Sequence, residues 1–152
     1  MPAHGAGPLE AVRRALRAVL GLGLIGTGAE LLLLGHSDDL AQWVPLVIVP
    51  LALLALLWRV ASDGTGARVG FRWAMMAAVA SGVVGLWLHY RGNAQFELEM
   101  DPDLGGWTLF AEAMTGATPA LAPGAMTLLG LIGLVSEIGG NAGRSGAKAG
   151  GN

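Results

Sequence analysis

The sequence predicts an all-α integral membrane protein in which four transmembrane helices form one bundle. Hydrophobic residues make up 53% of the 152 residues and charged residues only 13%, about half the charged share of a typical soluble domain. The charges lie mainly in short connectors, and the apolar runs between them approach the ~20 residues that a helix needs to cross a bilayer. Low charge and long apolar runs together indicate a polytopic membrane protein.

The first predicted span covers residues 14–35 and follows a flexible segment, residues 1–12, that is rich in Gly, Pro and Ala. Arginines precede its apolar run, as in a secretory signal peptide. However, residues 31–34 continue the run beyond the small residues that resemble a cleavage site. Because the apolar region of a signal peptide is only about 7–15 residues long, the sequence favours a retained helix.

The second and third spans are predicted at residues 43–61 and 71–90, and both are bounded by aromatic residues. Tryptophan and tyrosine favour the two membrane–water interfaces. We therefore expect the tryptophans to anchor the helices and the loop after the third span at these interfaces. The predicted interfacial anchors are Trp43, Trp58, Trp73, Trp87 and Trp107.

The fourth span, residues 121–138, is rich in glycine and barely long enough, and the tail at residues 139–152 is predicted to be disordered. The single transmembrane domain therefore covers residues 13–138. Its longest polar segment is the loop at residues 91–120, between the third and fourth spans.

Two patterns predict structure within this loop. Acidic and apolar residues alternate over residues 96–104, which predicts a short extended segment with its carboxylates on one face. Leu104, Trp107 and Met114 then recur at helical spacing, which predicts a short amphipathic helix in the membrane interface. The acids of the loop are Glu97, Glu99, Asp101, Asp103 and Glu112.

The basic residues predict the orientation of the bundle. They lie before the first span, between the second and third, and after the fourth, whereas Arg91 alone falls in the long loop. The positive-inside rule then places both termini in the cytoplasm and the acidic loop outside. A composition rich in Ala, Gly and Arg with a single lysine is typical of GC-rich bacteria. The predicted location is the bacterial inner (plasma) membrane, crossed several times.

Glu30 is the acid that lies deepest in the apolar part of the first span. It shares one helix face with Gly23, Gly26 and Thr27, and small residues in a membrane helix mark the close approach of another helix. We therefore expect Glu30 to point into the bundle. There it could be a protonatable or cation-coordinating group, or a polar group that pairs with another helix end.

A stripe of small residues on the third span comprises Ala77, Ser81 and Gly85 and continues to His89. If this stripe packs against the glycine face of the first span, His89 and Glu30 come close. Such a pair could relay protons or bind a divalent cation, although a histidine at a helix end is more often interfacial or capping. The candidate ion or proton site comprises Glu30, His36, His89 and Arg91.

Two further acidic features have a structural interpretation beside a functional one. The carboxylates of the loop could bind Ca²⁺, but Pro102 occupies the position that an EF-hand reserves for glycine, so a water-facing ribbon is the simpler interpretation. Glu137 lies near the cytoplasmic end of the fourth span, and we expect it to lie near Arg59 or Arg72.

Several classes of function find no sequence support. The chain has no cysteine, which excludes disulfides and thiolate metal centres. It has no phosphate-binding loop, dinucleotide fingerprint or nucleophile turn, so no cofactor is predicted. The arginines are sparse and are explained by topology, so nucleic-acid binding is not expected.

Three hypotheses for the function remain. The favoured one is a non-enzymatic accessory or interaction component in the lipid bilayer that presents its acidic outer loop to a protein partner or to a second copy. The alternative is a small transport protein that handles protons or metal cations through Glu30 and His89. The third is a membrane-embedded enzyme that acts on a lipid.

Overall fold

The computed structural model describes residues 7–35, 40–116 and 123–139, and this part of the chain is helical with no strand. Three of its helices are long and apolar enough to cross a membrane. In chain order the helices are α1 (Pro8–Leu33), α2 (Leu40–Ala61), α3 (Thr65–Met100), α4 (Gly106–Thr115) and α5 (Gly124–Val135).

Four of the helices, α1, α2, α3 and α5, pack around two clusters of buried apolar side chains. α1 and α3 each pack against both α2 and α5, so α1 lies diagonally opposite α3. The core is built around Leu20 and Leu24 of α1 and around Phe71 and Met75 of α3, which are all fully buried. Most other large apolar side chains of the three long helices are exposed, and an apolar outer surface of this extent is typical of helices that lie in lipid.

α1 begins at Pro8, within the segment predicted to be flexible. Proline suits the first position of a helix because its missing N–H would have no partner there, and Glu10 in the first turn is stabilised by the helix dipole. The remaining predicted termini, residues 1–6 and 140–152, lie outside the described residues.

α3 is 36 residues long, which corresponds to about 54 Å at 1.5 Å per residue against the ~30 Å of hydrocarbon in a bilayer. The extended segment predicted over residues 96–104 is therefore wrong for its first half. The N–H of Asp101 donates to the carbonyl of Glu97 at 2.9 Å, which is a helical hydrogen bond. Adding residues to an existing helix avoids the cost of nucleating a new one, and Glu, Leu, Met and Gln favour helix. The helix therefore continues through this segment despite the alternation of acidic and apolar residues.

The short helix predicted in the loop is present as α4, and its place in the membrane interface stays a prediction. A short turn leads into it, in which the N–H of Asp103 donates to the Asp101 carboxylate at 3.1 Å and Gly106 has φ +58°, a conformation that favours glycine. α4 then returns to α3, where the Asn93 side-chain amide donates to the carbonyl of Ala113 at 2.8 Å. We call residues 91–116 the hairpin.

α5 has 12 residues, or about 18 Å, and turns at residues 136–139 extend it; we call residues 123–139 the α5 segment. It runs antiparallel to α3: Pro123, just before α5, lies beside Gly85, and Gly133 lies beside Met75. The contact is close, because a Cβ added to Gly130 would lie 2.6 Å from the carbonyl oxygen of Met75. The start of the predicted fourth span, residues 121–122, lies outside the described residues.

Candidate functional site

Of the predicted ion or proton site, the structure describes Glu30, His89 and Arg91. Glu30 is exposed, so the expectation that it points into the bundle is wrong. α1 and α3 are diagonal in the bundle; within the small-residue stripe of α3, Ala77 is exposed and a Cβ added to Gly85 would lie 2.9 Å from the Pro123 side chain. The glycine face of α1 does not contact a neighbouring helix along its whole length, since Gly26 faces open space. His36 lies outside the described residues.

The other two members of that predicted site have separate surroundings. Arg91 is exposed, and its guanidinium carbon lies 5.5 Å from the centroid of the Trp87 ring, which is a cation–π contact within one helix turn. His89 is half-buried. Among the described residues, no group of three or more histidines and acids could hold a metal ion.

The acids of the predicted loop do not form a row. Glu97 and Glu99 lie in the last turn of α3, where residues two apart are separated by about 200° around the helix axis. They therefore point to opposite sides of the helix. Glu99, Asp101, Asp103 and Glu112 are exposed, and Glu97 is half-buried.

The hairpin also carries large exposed apolar side chains. Trp107 is 78% exposed and Met100 72%. Trp107 stacks on Phe110 with ring centroids 5.0 Å apart, and Phe110 lies 5.8 Å from the ring of Tyr90 on α3. Apolar side chains beside carboxylates at the end of an ordered helix are typical of an interaction surface. We call Phe96, Met100, Trp107 and the five acids the hairpin surface.

All five predicted anchors are more than half exposed: Trp43, Trp58, Trp73, Trp87 and Trp107. Rings exposed to this extent can reach a lipid interface, and their role as anchors stays a prediction. Trp58 also has a packing role, because a Cβ added to Gly70 would lie 3.0 Å from its ring.

The most extensive polar cluster surrounds Glu137, just after α5. Its side chain is only 7% exposed. One carboxylate oxygen lies 2.9 Å from Nη2 of Arg17 on α1 and 3.0 Å from Nε of Arg59 on α2. The other oxygen lies 3.9 Å from Nε of Arg68 on α3. Guanidinium groups from α1, α2 and α3 therefore converge on a carboxylate just after the end of α5.

Neighbouring groups complete this cluster. Arg59 also donates to the Asp63 carboxylate at 3.0 Å and to the carbonyl of Ser62 at 3.2 Å. Arg13 donates to the carbonyl of Ile138 at 2.7 Å, so a cation satisfies a carbonyl at the end of the α5 segment. We call this the arginine-rich end, defined by Arg13, Arg17, Arg59 and Arg68 around Glu137.

The expected proximity of Glu137 and Arg59 is confirmed, whereas Arg17 and Arg68 were missed as partners. The sequence does contain a signal for one of these partners in the spacing of two arginines. Arg13 and Arg17 are four residues apart and so share one face of α1, and both contact the end of the α5 segment. The positive-inside rule explains the arginines by topology alone and gives no reason to look for a buried acid between them.

Comparison with protein-family models, curated proteins and solved structures finds no match for this chain. The features of the molecule that bear on its function are therefore the geometry of the hairpin surface and that of the arginine-rich end.

Proposed function

We propose that this chain is a four-span membrane protein that presents its hairpin to a partner protein on the outer side of the membrane. In this proposal it is a non-enzymatic interaction component of a bacterial inner membrane with both termini in the cytoplasm. The observation that carries the proposal is the continuation of α3 to Met100 with α4 folded back against it.

The length of the α5 segment supports four spans. It runs beside α3 from Gly85, which meets Pro123, to Arg68, which meets Glu137. The stretch of α3 between residues 68 and 85 rises about 26 Å, close to the ~30 Å hydrocarbon thickness of a bilayer. The α5 segment thus covers nearly the same depth as its longer neighbour.

The charge distribution supports the orientation. The arginine-rich end lies at one end of the bundle, and Arg14 and Arg72 lie near it in sequence. Arg91 is the only basic residue of the hairpin, which lies beyond the other end of α3. The positive-inside rule assigns the arginine-rich end to the cytoplasm and the hairpin to the outer side.

α4 is held against α3, which favours a role of the hairpin in recognition over a role as a simple connection between α3 and α5. α3 continues past Tyr90 by ten residues, about 15 Å, and the hydrogen bond from Asn93 and the Tyr90–Phe110 contact bind α4 to it. An ordered segment loses less conformational entropy on binding than a flexible loop does.

The composition of the hairpin surface supports a partner of complementary charge and shape. Residues 91–116 contain five carboxylates and a single arginine, and the side chains of Trp107 and Met100 are exposed in the same segment. A partner with basic residues around an apolar pocket would complement both features. A second copy of this chain would bring the same negative charge, so a different protein fits better than self-association through the hairpin.

The alternative of proton or cation handling gains no support from the placement of Glu30 and His89. No observation favours an enzyme acting on a lipid.

The test is site-specific photo-crosslinking in intact cells. A photoreactive residue at Thr108, exposed on α4, should capture one protein whose crosslinked segment, identified by mass spectrometry, is rich in Lys and Arg. The adduct should disappear when Glu97, Glu99, Asp101 and Asp103 are changed to their amides.

The matched control carries the photoreactive residue at Trp73, which is exposed in the apolar part of α3. It should capture no such protein. An adduct at Thr108 that survives neutralisation of the four acids, or a crosslinked segment without basic residues, would overturn the proposal.

A further inference from the structure

We infer that the arginine-rich end binds a phosphate-bearing anion, and that this anion is the headgroup of an anionic phospholipid. The inference rests on the membrane placement proposed above but is independent of partner docking at the hairpin. Three observations carry it: the charge balance of this end, a buried donor of Arg17, and the depth of the cluster along the helices.

The arginine-rich end holds more positive charge than its own acids neutralise. With Arg14 and Arg72, six arginines belong to this half of the described helices, and three acids oppose them: Glu10, Asp63 and Glu137. Glu137 is shared between Arg17 and Arg59, and Asp63 is 81% exposed, so solvent screens its contribution. Arg14 and Arg72 are exposed, whereas the other four arginines are partly or fully buried, and positive charge that is removed from water is costly unless a counter-anion accompanies it.

Arg17 supplies a donor that the described protein does not use. Its side chain is 13% exposed, and Nη2 donates to Glu137. Its Nε atom is buried and has no hydrogen-bond partner within the described residues. Because Nε of Arg17 has almost no accessible surface, an anion first meets the guanidinium groups that reach the surface, each of which can engage a phosphate through two parallel donors. Arg68, 25% exposed and 3.9 Å from the same carboxylate, offers a second guanidinium at the surface.

The depth of the cluster matches that of lipid phosphates. Arg17 immediately precedes the apolar run of α1, and Arg59 follows Trp58 near the end of α2. Tryptophan at a helix end marks the headgroup region, and basic groups on the cytoplasmic side bind anionic headgroups. Soluble phosphate offers the same chemistry, so the experiment must separate the two sources.

The experiment is native mass spectrometry of the full chain in a neutral detergent after delipidation. Three probes are titrated separately: phosphatidylglycerol, phosphatidylcholine and inorganic phosphate. We expect phosphatidylglycerol to be retained in preference to the other two. Arg17→Gln and Arg68→Gln should each weaken its binding about fivefold, since one arginine contributes roughly 1 kcal/mol to anionic-lipid attraction.

The control is Arg91→Gln, which removes a charge from the hairpin and should leave phosphatidylglycerol binding unchanged. The preference of the unaltered protein for phosphatidylglycerol tests the inference even if an arginine variant fails to fold. Equal retention of phosphatidylglycerol and phosphatidylcholine would overturn it, as would an equal loss with Arg91→Gln. Equally strong, arginine-dependent binding of inorganic phosphate would overturn the assignment to lipid. None of these results depends on whether the hairpin binds a partner.

Discussion

Glu137 shows how one residue can join four helices. Its carboxylate accepts hydrogen bonds from Arg17 and Arg59 and lies near Arg68. A buried ion pair is weak evidence for net stability, because desolvation offsets much of the attraction, but removal of one partner leaves a buried charge uncompensated. The residue therefore matters most for keeping α5 attached to the arginine-rich end.

The change Glu137→Gln should destabilise the folded chain by roughly 3–5 kcal/mol, because two largely buried guanidinium groups lose their carboxylate. Unfolding in detergent micelles, followed by circular dichroism, measures this loss. The control Glu30→Gln alters an exposed acid and should change stability by about 0.5 kcal/mol or less. Similar losses for both variants would contradict the role assigned to Glu137.

Asn93 has a comparable role in the hairpin. Asn93→Ala removes the hydrogen bond to Ala113 and leaves a buried carbonyl without that donor, at a cost of about 1–3 kcal/mol. We expect faster hydrogen exchange at the amides of α4 and unchanged exchange in α1 and α2. Gln95→Ala, at an exposed position of the same helix, is the control and should leave α4 protected.

At the scale of elements, the contact between α3 and α5 depends on glycine. Gly82 and Gly130 allow the two backbones to approach: a Cβ on Gly82 would lie 2.8 Å from the carbonyl oxygen of Pro123, and one on Gly130 would lie 2.6 Å from that of Met75. Small residues have this role in membrane helices generally. This contact gives the short α5 its neighbour and places Glu137 beside the arginines.

Two alanine substitutions on α5 should therefore have opposite effects. Gly130→Ala should destabilise the bundle by about 1–3 kcal/mol, since backbone must move to admit the methyl group. Gly124→Ala meets nothing within 4 Å and should be neutral or stabilise by up to about 1 kcal/mol through helix propensity. Unfolding of both variants in the same detergent makes the comparison, and losses of equal size would show that the predicted crowding is absent.

At the scale of the whole molecule, the proposed topology makes the two ends of α3 lie on opposite sides of a membrane. The absence of native cysteine allows single reporters at exposed positions. Thr108→Cys on α4 should react in intact cells with a thiol reagent that cannot cross the membrane, whereas Thr65→Cys at the start of α3 should react only after permeabilisation. The reverse pattern would invert the orientation and move the hairpin to the cytoplasm.

Local patterns in the sequence predicted some elements well and others poorly, for identifiable reasons. α2 was predicted to within three residues because its apolar run ends at charged or polar connectors. The helical continuation of α3 through Glu97 and Glu99 was missed, because alternation over a few residues resembles a strand when the helix before it is ignored. Glu137 and Arg59 were matched because both were predicted at the cytoplasmic ends of their spans.

By itself, the sequence determined which segments form apolar helices and which ends of those helices carry basic or acidic side chains, because both depend on the composition of short stretches. Only the tertiary structure decided which helices are neighbours. It placed α1 diagonally to α3, which separated the expected Glu30 and His89 faces, and it brought three arginines to Glu137. The physical reason is that a contact between helices depends on their order and rotation about the core, which side chains distant in sequence determine together.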